Sequence, residues 1–274
     1  MIPFIYSCSA RLHGPLKQQE PYSKIHIKIN SMKNIAFLFM LTVVSFSFTS
    51  VIEDAPPSLQ GAWSLNTTAN DKAVTHVLVL SGDYFSWTVH ETANGAFIMT
   101  KGGTWSKTGK KLALNYEFHT ADSTQVGQTE SLKLVIKGAA IAVKGKGQPK
   151  GRWTDLDQGK VTPLNGAWLI SGRKRNGEIR RNRTDRPRKT MKILSGTRFQ
   201  WIAYNTETKQ FFGTGGGTYT AEGGVYQENI GFFSRDDSRV GASLKFEFAV
   251  EDGDWIHSGK SSKGAPLYEI WSQR

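Results

Sequence analysis

Two stretches decide the fold: LSGDYFSWTVHETANGAFIMTKGGTWS at residues 80–106 and LSGTRFQWIAYNTETKQFFGTGGGTYT at residues 194–220, which align without a gap and share 11 of 27 positions. Upstream of them Leu59-Gln60-Gly61-Ala62-Trp63 recurs as Leu164-Asn165-Gly166-Ala167-Trp168. Downstream, SLKLVIKGAAIAVKGK (131–146) meets SLKFEFAVEDGDWIHSGK (243–260). Three matches in the same order read as a tandem duplication, with units at residues 51–160 and 161–274 and a boundary in the polar stretch from Asp155 to Pro163.

Within each unit apolar residues alternate over short segments, as in Phe85-x-Trp87-x-Val89, Leu132-x-Leu134-x-Ile136 and Leu244-x-Phe246-x-Phe248, and Gly, Asn and Asp separate the segments. Period-two alternation puts one face of a sheet in the core and the other in water, the pattern of an antiparallel meander. A meander has edges to hide, and closure into a barrel hides them. The expected fold is all-β, two tandem antiparallel meander β-barrels. The glycine pairs Gly102-Gly103 and Gly216-Gly217 are expected at a bend or bulge.

The composition fits: 38% hydrophobic and 11% aromatic residues are enough for packed cores. One cysteine excludes a disulfide scaffold and a cysteine-held zinc module. From Met32 the chain reads MKNIAFLFMLTVVSFSFTS, a basic Lys33 followed by an apolar stretch from Ile35 to Phe48. That stretch has the length of a signal h-region and is short for a membrane span, so residues 32–50 read as a signal peptide and the protein as periplasmic or secreted. Residues 1–31 then read as a non-native or disordered leader, and Cys8 falls in the discarded part.

The opening Leu-x-Gly-x-Trp at 59–63 and 164–168, followed by a meander and ending near a basic residue beside Trp (Arg152-Trp153, and Trp271 with Arg274), resembles the lipocalin and fatty-acid-binding (calycin) superfamily. More narrowly it is similar to small lipocalin-like domains of secreted bacterial proteins of unassigned role. The resemblance implies that Trp63 and Trp168 plug the closed ends of their barrels, with Arg152 and Arg274 as packing partners. Each unit is shorter than a typical lipocalin, which implies a missing strand or a missing C-terminal helix.

The two units serve as controls for each other. If Phe85, Trp87 and Val89 face inward, so do Phe199, Trp201 and Ala203, and the same alternation turns Leu112, Leu114 and Tyr116 inward against Tyr226, Glu228 and Ile230. Ile141 and Val143 correspond to Trp255 and His257, and Met99 and Lys101 to Gly213 and Gly215. The first interior therefore reads as largely filled with aliphatic bulk, and the second as partly emptied and made polar, which costs stability unless it serves a purpose. Ligand binding is expected in the second barrel at Trp201, Tyr226, Glu228, Trp255 and His257. If the protein is instead an enzyme, a hydrolase, lyase or isomerase, Glu228 or His257 would be the base and Tyr226 the acid.

The net charge of +12 is concentrated: nine basic residues lie between Arg173 and Lys189, against only Glu178 and Asp185. The connection carrying them is longer than its counterpart, and the resemblance to lipocalins implies that this first connection lies across the open end of the second barrel, with Arg180 and Arg183 gating access for an anionic head group. Its other readings are a solvated loop, or a surface module for acidic polysaccharide or lipid. Export argues against nucleic acid as a partner. Thr214-Gly215-Gly216-Gly217-Thr218 lacks the Lys-Ser/Thr of a phosphate loop, and the histidines show no metal-ligand spacing, so neither cofactor nor metal is expected. The acidic clusters Asp236-Asp237 and Glu251-Asp252-Gly253-Asp254 read as hairpin turns. The leading expectation is an exported binding protein for a small amphipathic or anionic molecule.

Overall fold

The computed structural model describes residues 58–260 and 264–274; the leader, the signal stretch and Cys8 lie outside the described residues. The first barrel runs through β1 (Gly61–Ala69), β2 (Lys72–Ser81), β3 (Tyr84–Glu91), β4 (Phe97–Thr108), β5 (Lys111–His119), β6 (Thr129–Lys137), β7 (Ala140–Lys144) and β8 (Trp153–Asp155). Neighbouring strands pair antiparallel, and β8 returns to β1 to close the ring. The second comprises β9 (Gly166–Arg175), β10 (Glu178–Arg181), β11 (Arg188–Leu194), β12 (Arg198–Asn205), β13 (Phe211–Glu222), β14 (Val225–Phe233), β15 (Ser243–Glu251), β16 (Asp254–Lys260) and β17 (Pro266–Gln273). It closes through β9–β17, with β10 as an extra strand on β9. Each ring thus has eight strands, so the short length of the units has removed none of them. The helical segments among the described residues are two 3-10 turns, Ser123–Gln125 and Asp237–Arg239.

The duplication extends to the irregularities. The ladder slips between Val89 and His90 and again between Ala203 and Tyr204, and likewise at Gly102/Gly103 and at Gly216/Gly217. These are bulges in the same place of each barrel. Glycine is required there, because a Cβ on Gly103 would stand 2.0 Å from the Asn115 carbonyl oxygen, and one on Gly217 2.0 Å from that of Asn229.

One connection differs. β1 and β2 pair along their whole length through a two-residue turn at Asn70-Asp71, both with positive φ. In the second barrel β9 pairs with β10 over Gly172–Arg175 and with β11 only over Gly166–Leu169. Residues 182–187 thus interrupt the strand equivalent to β2 and leave the outer half of β9 as a projecting hairpin.

Leu78, Phe85, Leu112, Leu114, Leu132, Leu134, Ile141 and Val143 fill the first interior, with Trp63 at one end. Phe199, Tyr219, Tyr226, Phe246, Trp255 and Trp271 build the second, with Trp168 at its end. A third apolar cluster joins the barrels through outward faces: Ala62 and Val79 of one meet Ala167, Leu169, Met191, Ile193 and Ile202 of the other. Phe97 stacks on Phe211, its own counterpart, with ring centroids 6.2 Å apart. Within this layer Gln200 accepts from the Thr88 hydroxyl and donates to those of Thr100 and Thr214. Asp157, in the link between the barrels, is 4% exposed. Its carboxylate accepts from the Ala62 backbone N–H in the first barrel and from Ser195 Oγ, Gly196 N and Thr197 Oγ1 in the second. Asp157→Ala leaves these donors without a partner and is expected to lower unfolding free energy by about 3 kcal/mol or more, measured by urea denaturation.

Candidate functional site

Inward-facing residues of the second barrel enclose a cavity of about 400 Å3 at the end remote from Trp168. Its apolar wall includes Trp201, Ile230, Phe233, Leu244, Phe246 and Trp271; its charged groups are Arg173, Lys192, Glu228, Arg235, Arg239 and Glu269, with His257. A volume of this order suits a small organic ligand.

The floor is a buried ion pair. Lys192 of β11 and Glu228 of β14 are each 5% exposed, and the Lys192 ammonium donates to Glu228 Oε1 at 2.8 Å. The Tyr226 hydroxyl donates to the same oxygen at 2.9 Å. The ammonium also stands over three rings, 4.8 Å from the centroid of Trp255, 5.0 Å from Tyr226 and 5.2 Å from Trp271. A carboxylate and an aromatic cage together replace the water this cation gives up. Burial, reinforced by the Glu228 charge and hydrogen bond, holds the Tyr226 phenol far above its usual range, so it stays protonated.

Beside this pair His257 Nδ1 lies 3.4 Å from Glu269 Oε2, and Arg173 reaches the other Glu269 oxygen at 3.2 Å. Burial first, and the Lys192 charge second, push His257 below its ordinary value against the opposing pull of the carboxylates. Burial alone would raise Glu269, but the His257 hydrogen bond and the charges of Lys192 and Arg173 outweigh it and hold it down. His257 is therefore a neutral ring bound to a carboxylate, packed 4.2 Å from the Phe246 centroid, and its Nε2 is buried without a hydrogen-bond partner in the protein.

The structure gathers some of the expected residues and disperses others. Trp201, Glu228 and His257 line the cavity; Tyr226 and Trp255 are fully buried behind it, Tyr226 holding Glu228 and Trp255 packed against Trp168. Arg180 and Arg183 do not line it. Arg180 is paired with Glu178 at 3.9 Å, and Arg183 with Asp185, both on the exposed hairpin and its following loop. Of the basic segment only Arg173 reaches the cavity. Trp63 and Trp168 are buried, each indole donating to the carbonyl four residues upstream, Leu59 and Leu164. Arg274, expected against Trp168, instead sends its guanidinium to the first barrel, donating to both Glu117 oxygens and stacking 4.1 Å from the Tyr84 centroid.

One correction concerns volume. The space vacated at Gly213 and Gly215 is refilled: a Cβ on Gly215 would lie 2.7 Å from both Trp201 and Phe233, and one on Gly213 2.6 Å from Arg235. The first interior, largely apolar, keeps a charged group of its own. Lys101, 6% exposed, stands 4.4 Å over the Trp87 ring and 3.7 Å from Glu130, which also receives the Tyr116 hydroxyl.

Lys192, Glu269 and the mouth arginines Arg235 and Arg239 are the residues the sequence reading missed. Lys192 was legible: VLVLSG at 77–82 aligns with MKILSG at 191–196, so Lys192 replaces Leu78 as Glu228 replaces Leu114. Glu269 shares the inward alternation of Leu267 and Trp271. Among the described residues no group of three or more His, Cys, Asp or Glu side chains is placed to hold a metal ion. No protein-family model and no curated protein matches the chain, so residues and fold alone carry the family resemblance.

Glu228→Gln leaves a buried ammonium without its counter-charge and is expected to cost about 3–5 kcal/mol in urea unfolding; adding Lys192→Met should recover most of that loss. Protonation gives a second expectation. The unfolded chain binds a proton at His257 as pH falls through 6.5 while the folded protein resists, so stability declines from about pH 7 downward until the folded ring titrates. His76, pushed down to about 4 by burial and by Lys101, acts in the same direction, as do His90 and His119. The urea midpoint should fall between about pH 7 and 5, and His257→Phe should make that fall shallower.

Proposed function

We propose that the protein is an exported, lipocalin-like binding protein that holds a small amphipathic anion in the cavity of its second barrel. The charge of the cavity lining carries this reading. Arg173, Lys192, Arg235 and Arg239 contribute four positive charges against the two of Glu228 and Glu269, with His257 neutral; Asp236, outside the lining, pairs with Arg239 at 3.5 Å and still leaves the balance positive. Both carboxylates are already engaged, Glu228 by Lys192 and Tyr226, Glu269 by Arg173 and His257. The lining therefore attracts anions, while Trp201, Phe233, Leu244 and Phe246 offer an apolar contact surface. The lipocalin assignment is supported by the eight-stranded meander and by the two Gly-x-Trp tryptophans at matching ends. The signal-like stretch from Met32 supports export.

Binding is favoured over catalysis by Glu228 and Tyr226 because these two candidates are committed to each other and to Lys192. Glu228 takes two donors on one oxygen, and Tyr226 keeps its proton. The test is a fluorescence titration with 1-anilinonaphthalene-8-sulfonate, an apolar ring system bearing one sulfonate. Saturable binding with Kd on the order of micromolar is expected, weakened about five-fold or more by Trp201→Ala and by Arg235→Ser. Absence of saturation, or equal affinity in both variants, would overturn the proposal.

A further inference from the structure

The hairpin and loop that carry the basic cluster are not needed to close a barrel. The first barrel closes over a direct two-residue turn at the same place. The second inserts β10 and residues 182–187 there, and the insertion forms two clefts on the outside of the barrel, of about 310 and 320 Å3. One is walled by Arg173, Arg175 and Arg180; the other by Arg173, Arg183, Arg186, Arg188 and Lys189. Neither lining contains a carboxylate. Arg173 pairs with Glu269, Arg180 with Glu178 and Arg183 with Asp185, which leaves Arg175, Arg186, Arg188 and Lys189 of the cleft cations outside salt-bridge distance of a carboxylate among the described residues. Like charges gathered this closely repel and weaken the folded state unless something negative lies among them.

Arg173 connects these clefts to the interior. It walls both clefts and also the inner cavity, and its Nε is buried without a hydrogen-bond partner in the protein. Thr190 is likewise shared between the inner cavity and the larger set of cations. An apolar hollow thus adjoins a cationic annex across one guanidinium. A single carboxylate or sulfonate at Arg173 would use one or two of these groups and leave the others without a role. Building on the cavity reading above, we infer that the ligand is an amphiphile with a multiply charged phosphate or sulfate head: its apolar part occupies the inner cavity, and its head occupies the two arginine clefts.

The test compares farnesol, farnesyl monophosphate, farnesyl diphosphate and inorganic diphosphate by isothermal titration calorimetry, with anilinonaphthalenesulfonate displacement as a second readout. The diphosphate is expected to bind at least about ten-fold more tightly than the monophosphate at low salt, the advantage shrinking at about 0.5 M salt. In Arg175→Ser/Arg180→Ser/Arg186→Ser, exposed positions whose replacement spares the core, that advantage should vanish while farnesol affinity is unchanged. Equal affinity for mono- and diphosphate, or an unaltered advantage in the triple variant, overturns the inference and leaves the cavity reading standing. Inorganic diphosphate binding as tightly as its farnesyl ester overturns it in favour of a bare anion site. If neither farnesol nor the anilinonaphthalenesulfonate probe binds, the cavity reading itself fails.

Discussion

The second barrel is organised around one exchange: a pair of leucines for a pair of opposite charges. Where the first barrel has Leu78 and Leu114, both in its apolar core, the second has Lys192 and Glu228 in contact at 2.8 Å. Either change alone would strand a charge in a low-dielectric interior; made together they neutralise each other. The aromatic cage follows from the same need. Tyr226, Trp255 and Trp271 surround the ammonium on the sides its carboxylate leaves open. With the polar floor fixed in this way, the space above it is bounded by Trp201, Phe233 and Phe246 and open at the arginine-bearing mouth. The cavity is therefore a property of the pairing, more than of any lost side chain, since the glycine positions are refilled by Trp201, Phe233 and Arg235.

Much of the architecture was legible because the chain states it twice. The 27-residue match, the Gly-x-Trp openings and the paired glycines give the duplication, the meander and the bulges. Period-two alternation placed Tyr226, Glu228, Trp255 and His257 correctly indoors. What alternation does not give is partnership. Which carboxylate meets which cation depends on barrel closure, which brings β11 opposite β14 across the lumen, and on β17, whose inward Glu269 belongs to no repeated motif. The same blindness applies to Arg274: a terminal arginine is visible in the sequence, but its partners Glu117, Tyr204 and Tyr84 are fixed only when two barrels dock.

The basic segment shows a different limit. Its charge and its extra length relative to the sister unit were plain in the sequence, yet its course was not. Loops of equal charge can fold over a mouth or away from it, and backbone pairing decides. Here the hydrogen bonds of β10 to the outer half of β9 draw the arginines into a projecting hairpin. Arg173 alone, on the strand that runs into the barrel wall, touches both the inside and the outside.

The layer between the barrels has a consequence for the two lumens. It is made from matching positions of the two units: Ala62 with Ala167, Val79 with Ile193, and Phe97 directly on Phe211. Contact of a surface with its own duplicate is the signature of an isologous, two-fold interface. The covalent link, held by Asp157, keeps both copies of that patch in one polypeptide, so each barrel is covered by its own duplicate. With the patch occupied within the chain, the two lumens can differ, as Leu78 and Lys192 do, while the outer faces stay matched.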